Sequence, residues 1–161
     1  MAIKVGDRLP DVTFRVPGED GPAAKTTAEL FEGRKVVLFA VPGAFTPTCH
    51  KNHLPGYLAR AADFKAKGVD AIMVTAVNDP FVMAAWANAS GAEGKIAFLA
   101  DGSAEFARAV GLELDASAFG MGIRSKRYAM VVDDGAVTVL SVEDTPSKAE
   151  QSSAETLLKH L

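Results

Sequence analysis

The chain has 161 residues, of which 48% are hydrophobic and 23% charged, with 14 glycines and 8 prolines. That length suits one domain, spanning 1–161, large enough to bury a core, and the composition excludes disorder and low complexity. Its 17 basic against 20 acidic side chains leave a net charge of −3, which offers no electrostatic attraction to a nucleic-acid backbone or an anionic membrane surface. Small substrates and protein partners are the remaining expectation.

The first apolar run, KVVLFAV (35–41), has strand length and no alternation, as a strand buried on both faces would. It leads into Pro42-Gly43-Ala44-Phe45-Thr46-Pro47-Thr48-Cys49, a turn that opens a helix: Thr46 suits the N-cap and Pro47 the first helical position, where a missing N–H costs nothing. Leu54, Tyr57, Leu58 and Ala61 then line up one apolar face of that helix. Pro55 lies inside it and predicts a kink near His53.

VDAIMVTAV (69–77) is the next strand, and Val82, Ala85, Trp86 and Ala89 mark the packed face of a second helix. KIAFLA (95–100) is a third buried strand. In KRYAMVVDDGAVTVLSV (126–142), Asp134-Gly135 between two β-rich runs signals a tight antiparallel hairpin, so the sheet is mixed. Ala154, Leu157, Leu158 and Leu161 repeat the helical spacing, and Ser152 with Glu155 reads as the capping box that starts this last helix. Alternating strands and helices make an α/β fold, with its active site where a strand's carboxyl end meets the next helix.

Cys49, the single cysteine, stands at such a junction. One thiol excludes an intramolecular disulfide and any four-cysteine zinc site. In the first turn of a helix, free backbone N–H groups and the positive end of the dipole favour the thiolate, the nucleophilic form; otherwise a lone cysteine is a small buried hydrophobe. His53, four residues on, and the adjacent His50 would add two metal ligands, but no supporting ligand motif accompanies them and no metal is expected. His50 is instead a candidate for tuning the thiol. The opening residues, MAIKVGDRLP, lack the apolar run of a secretory signal, and no stretch reaches the roughly 18 apolar residues of a membrane span. The expected setting is reducing and cytoplasmic.

The stretch PGAFTPTCHKNHLPGY (42–57) resembles the active-site signature of the peroxiredoxins: proline, three residues, threonine or serine, two residues, cysteine, filled by Pro42, Thr46 and Cys49. VNDPFVMAAWA (77–87) and GIRSKRYAMVVDDG (122–135) extend the likeness to the type II, or peroxiredoxin-5, branch over nearly the whole chain. The resemblance implies a thioredoxin-like fold, a central mixed sheet flanked by helices, and reduction of hydrogen peroxide or organic hydroperoxides by the Cys49 thiolate. It implies that Thr46 donates to the sulfur or a peroxide oxygen, that the backbone N–H groups of Thr48 and Cys49 hold the peroxide, and that Pro42 walls the pocket. From the sequence alone Thr46 is equally a helix cap and Pro42 a strand terminator. The family also uses a distant arginine, and the match to Gly122-Ile123-Arg124-Ser125 points to Arg124; Arg127 competes, since the strand that follows can aim either one.

Branch members with an intramolecular resolving thiol carry a second cysteine, and this sequence has none. No cofactor is implied; the sulfenic acid must be resolved by an external thiol, glutathione with glutaredoxin first and thioredoxin second. Relatives form dimers through the faces bearing the active-site loops, which makes Phe45, Phe81 and Phe119 candidates for a homodimer contact, against a role in the core. The competing readings are a redox sensor or relay built on the same thiol, and a holdase or interaction domain in which the thiol is incidental.

Overall fold

The computed structural model describes residues 2–161. In chain order come β1 (Thr13–Val16), β2 (Ala23–Thr26), α1 (Thr27–Phe31) and β3 (Lys35–Ala40), then a π-helical turn (Cys49–His53) that runs into α2 (Leu54–Ala59) and α3 (Ala61–Ala66). β4 (Ala71–Ala76), α4 (Pro80–Ala89), β5 (Ala97–Ala100) and α5 (Glu105–Ala109) follow. β6 (Glu113–Asp115), β7 (Ile123–Ser125), β8 (Tyr128–Asp133), β9 (Ala136–Val142) and α6 (Ala154–Leu158) complete the chain.

Seven strands form one sheet in the order β2-β1-β5-β4-β3-β8-β9, while β6 and β7 pair separately. β3 runs parallel to β4, and β4 to β5; β3 with β8 and β8 with β9 are antiparallel, so the sheet is mixed as the sequence predicts. β3 is central and packed on both faces, which explains its unbroken apolar run. Val37 and Phe39 face a cluster with Leu54, Tyr57, Phe64, Trp86 and Leu157, whereas Val36, Leu38 and Ala40 face Phe14, Phe31, Phe106 and Tyr128. At the hairpin tip both Asp134 (φ 48°) and Gly135 (φ 81°) adopt the left-handed region that a tight two-residue turn demands.

Three local expectations are corrected. α4 is present, but its buried face is Met83, Trp86 and Ala87, while Ala85 and Ala89 are exposed. With alanine at half the candidate positions, the apolar spacing could not say which face met the sheet. α6 is capped by Ser153, whose hydroxyl accepts from the Thr156 N–H at 3.2 Å. Ser152 is instead drawn inward to Glu143, so the helix starts one residue later than Ser152 and Glu155 suggested. The Leu54-Tyr57-Leu58-Ala61 stripe is interrupted at Arg60, where φ −105° and ψ 10° separate α2 from α3.

An aromatic stack underlies the cysteine-bearing turn. Phe39 of β3 lies flat on Tyr57 of α2 at a centroid distance of 4.1 Å, and Tyr57 continues onto Phe64 of α3 at 5.6 Å. Phe39 also meets the His53 ring at 5.0 Å. Because Phe39 is wholly buried, replacement by alanine should cost about 3–5 kcal/mol. Urea denaturation followed by far-UV circular dichroism checks this; a loss below about 1 kcal/mol would mean that the stack does not carry the packing between β3 and α2.

Candidate active site

β3 ends under its neighbour β4, where the Val41 N–H still donates to the Thr75 carbonyl at 3.1 Å. The chain then turns sharply. The Asn78 side-chain oxygen accepts from the Ala44 N–H at 2.9 Å, and Phe45 takes a left-handed φ of 63°, a conformation that non-glycine residues adopt only when their surroundings enforce it. A Cβ on Gly43 would come within 3.1 Å of the Thr46 side chain, so the close approach there suits glycine. The helix opens at Pro47 behind Thr46, whose carbonyl accepts the first intrahelical bond, from the His50 N–H at 2.8 Å. Pro42 is buried at the strand end, as the sequence places it.

From Cys49 to His53 the helix widens, with the Leu54 N–H donating to the Cys49 carbonyl five residues back. Pro55 accounts for this. It has no N–H to offer, and in a regular α-helix its ring would crowd the Lys51 carbonyl; one residue of slack relieves that clash. The irregularity expected near His53 therefore takes the form of a π turn.

Cys49 has no exposed surface, and two donors converge on its sulfur. The Thr46 hydroxyl lies 2.7 Å from Sγ and 2.7 Å from the Gly43 carbonyl, so it serves these two groups and not the helix end. A hydroxyl has one proton. With the sulfur protonated, S–H donates to Oγ1 while Oγ1–H holds the carbonyl; with the sulfur ionised, Oγ1–H can turn to it. The second donor is Arg127, whose Nη2 stands 2.9 Å from Sγ.

Arg124, the residue favoured by the sequence match, does not make this contact. It is half-buried and donates to the carbonyls of Met121 at 2.9 Å and Val77 at 3.0 Å, lining the wall beside Gly43. Strand register explains the difference. Ala40 pairs with Tyr128 and Phe39 with Ala129, so Arg127 lies level with Val41 on the sheet face that holds Cys49, whereas Arg124 belongs to β7 in the small separate sheet.

Arg127 is itself almost fully buried and held at each nitrogen: Nε donates to the Pro146 carbonyl at 3.1 Å and Nη1 to Nδ1 of His53 at 2.9 Å. Accepting at Nδ1 puts the His53 proton on Nε2, which donates to the Ser152 carbonyl at 2.9 Å. The Tyr57 hydroxyl donates to that same carbonyl at 2.6 Å. The N–H and hydroxyl of Ser152 both donate to one oxygen of the buried Glu143 carboxylate, each at 2.6 Å. The segment after β9 thus reaches back over the site, and the Thr48 hydroxyl donates to its Ser147 carbonyl at 3.1 Å.

Sequence reasoning missed Glu143, Ser152 and Tyr57 in this network. The one available signal is His53 at i+4 from Cys49, a spacing that equally suits a metal ligand; both its ring nitrogens are engaged within the protein. Burial, and then the Arg127 charge, push His53 down to about 3, so it is a neutral acceptor that aims the guanidinium. His50 does not approach the sulfur through its ring. Its Nδ1 accepts from the indole N–H of Trp86 at 3.1 Å, and Phe45 lies against it at a centroid distance of 5.5 Å.

The Redoxin family model matches residues 4–158. Peroxiredoxin-2E-2, chloroplastic, of Oryza sativa subsp. japonica is 49% identical over 99% of this chain and 72% of its own length. Peroxiredoxin-2C of the same plant is 48% identical over 99% of this chain and 98% of its own. Among solved structures, reduced Prx3 in complex with hydrogen peroxide from Vibrio vulnificus superposes with a TM-score of 0.93, at 52% identity over 98% of each chain.

The neutral His53 carries a pH signature. An unfolded histidine titrates near 6.5, so below that pH the unfolded chain takes up a proton that the folded site refuses until about pH 3. This contribution is whole above the unfolded value and falls with acidification, at up to about 1.4 kcal/mol per pH unit. His53→Gln should therefore lose less stability than the wild type between about pH 7 and about pH 4.5 in urea titrations; parallel losses would assign the acid sensitivity to other groups.

Proposed function

The chain belongs to the peroxiredoxin family of thiol-dependent peroxidases, and from that premise we propose that Cys49 is its peroxidatic thiol, with Thr46 and Arg127 as the groups that act on the reacting atoms. One observation carries this assignment: a hydroxyl at 2.7 Å and a guanidinium at 2.9 Å converge on a single fully buried sulfur. A buried cation needs its donors used and its charge answered, and Sγ is the one partner of Arg127 whose ionised form would do both.

In the reaction the thiolate attacks the terminal peroxide oxygen in line with the O–O bond. An S–O bond forms, the O–O bond breaks, and the departing alkoxide or hydroxide takes a proton to leave as alcohol or water, with Cys49 oxidised to sulfenic acid. Three of the five guanidinium N–H groups serve Pro146, His53 and Sγ, which leaves two to meet the peroxide oxygens as charge builds on them. The first-turn amides of Thr48 and Cys49 precede the first intrahelical bond and are further donors for the bound peroxide. Pro42 and Arg124 complete the walls. The peroxide named with the Vibrio vulnificus relative supports hydrogen peroxide as one substrate.

The sequence contains no second thiol, so regeneration is intermolecular. The sulfenic acid condenses with one glutathione to a mixed disulfide and water; a second glutathione, or glutaredoxin, then releases Cys49 as thiol. Thioredoxin is the alternative reductant. A reducing compartment, the cytoplasm, suits a protein with one free cysteine. A homodimer would cover Phe45, Phe81 and Phe119, which are 46%, 72% and 82% exposed and so are not core residues.

Rapid-quench alkylation with mass detection of free Cys49 tests the chemistry. Cys49 should be lost within milliseconds at micromolar hydrogen peroxide, far faster than free cysteine. Arg127→Lys keeps a charge but loses the fork and should slow this by about 100-fold, while Arg124→Lys should slow it by less than about fivefold. Thr46→Val should slow it by about 10- to 100-fold. The reverse ranking of the two arginines would return the role to Arg124, and a wild-type rate no better than free cysteine would end the peroxidase assignment.

A further inference from the structure

Regeneration by an external thiol requires a sulfur that can be reached, yet Cys49 has no exposed surface and sits at the start of the π turn Cys49–His53. That turn must open for a thiol to meet the sulfenic acid. What holds it shut includes a side-chain pair outside the reacting groups. His50 accepts at Nδ1 from the Trp86 indole N–H at 3.1 Å, which ties the turn to α4. Trp86 is wholly buried and rests edge-on against Phe98 of β5, with ring centroids 5.5 Å apart, so the donor is fixed in the core. On its other side His50 meets Phe45, itself held in the left-handed conformation.

The energetics of this bond are asymmetric. An indole N–H can only donate, and once His50 swings away with the opening turn it is left buried without an acceptor. Opening therefore costs more than the breaking of one surface contact. Nδ1 is committed to Trp86 and the ring makes no hydrogen bond to the sulfur, so this contact ties His50 to the position of the turn.

We propose that His50 and Trp86 form a latch that sets how often the π turn opens, and through it how the sulfenic acid divides between two fates. In one, Cys–SOH and a thiol R–SH give Cys–S–S–R and water, which needs the open turn. In the other, Cys–SOH and a second hydrogen peroxide give Cys–SO2H and water, which the closed turn with its donors still in place favours. Both residues are positioning residues. The two-fate consequence rests on the peroxidase reading above, whereas the latch itself is a property of the reduced protein.

The test uses His50→Phe, Trp86→Phe, the double variant and His50→Asn, whose side-chain oxygen stands near the place of Nδ1. Hydrogen exchange of the amides of residues 50–54 in the reduced protein should rise about two- to tenfold in each phenylalanine variant. The double variant should exceed neither by much, since both singles remove the same bond, and His50→Asn should stay near the wild type. At fixed glutathione and excess hydrogen peroxide, the phenylalanine variants should also accumulate less sulfinic acid per turnover, read by intact mass. Unchanged exchange in the single variants, additive effects in the double, or His50→Asn behaving like His50→Phe would overturn the latch. Failure of the peroxidase reading is separately visible as slow oxidation of wild-type Cys49, and the exchange measurement judges the latch in either case.

Discussion

A guanidinium buried against a sulfur is the constraint around which this molecule is arranged. Removing an arginine from water costs several kcal/mol unless its donors are used and its charge is answered. Arg127 meets that demand with Pro146, His53 and Cys49, and no carboxylate stands among its direct partners. Of these three partners Sγ alone belongs to a side chain that could answer the charge by ionising, and it is also the proposed nucleophile. Stability and reactivity are coupled at this point, because the arrangement that satisfies the buried cation is the arrangement that holds the sulfur ready.

Much of the surrounding structure keeps Arg127 from choosing another partner. A free guanidinium near a buried carboxylate would pair with it, and Glu143 is such a carboxylate, in line with Arg127 across the sheet through the Glu143 N–H bond to its carbonyl. Instead Ser152 occupies one Glu143 oxygen with both of its donors, and its own carbonyl receives His53 and Tyr57. His53, neutral because it is buried beside a cation, is left with a lone pair that only a donor such as Arg127 can use. The C-terminal segment is thus part of the site although it contributes no reacting atom.

The parts of this that the sequence revealed are those governed by short-range rules. The apolar runs that became β3, β4 and β5, the Asp134-Gly135 turn and the Pro42-Thr46-Cys49 spacing all express periodicity or local backbone demands. β1, β2, β6 and β7 are three or four residues long and partly exposed, and so leave no periodic trace. The sequence match favours Arg124, whereas the sulfur contact is made by Arg127, because that choice depends on register with β3 and joins an arginine and a cysteine 78 residues apart. The Glu143-Ser152-His53 chain spans up to 99 residues and uses residue types that are ordinarily surface-exposed, so nothing local marks it.

The same site must be closed for one half of its cycle and open for the other, and the helix beginning at Pro47 carries both requirements. Pro55 denies it a regular hydrogen-bond ladder, so the segment bearing Cys49 is held less by its own backbone than an α-helix would be. Side chains supply the difference: Thr46 and Arg127 at the sulfur, His53 to Arg127 and Ser152, His50 to Trp86. Oxidation to a sulfenic acid would change the sulfur end of that set, where Thr46 and Arg127 meet Sγ. The bonds made by His50 and His53 do not depend on the sulfur's charge. A turn fastened in this way loosens when its chemistry is done without losing its place in the fold.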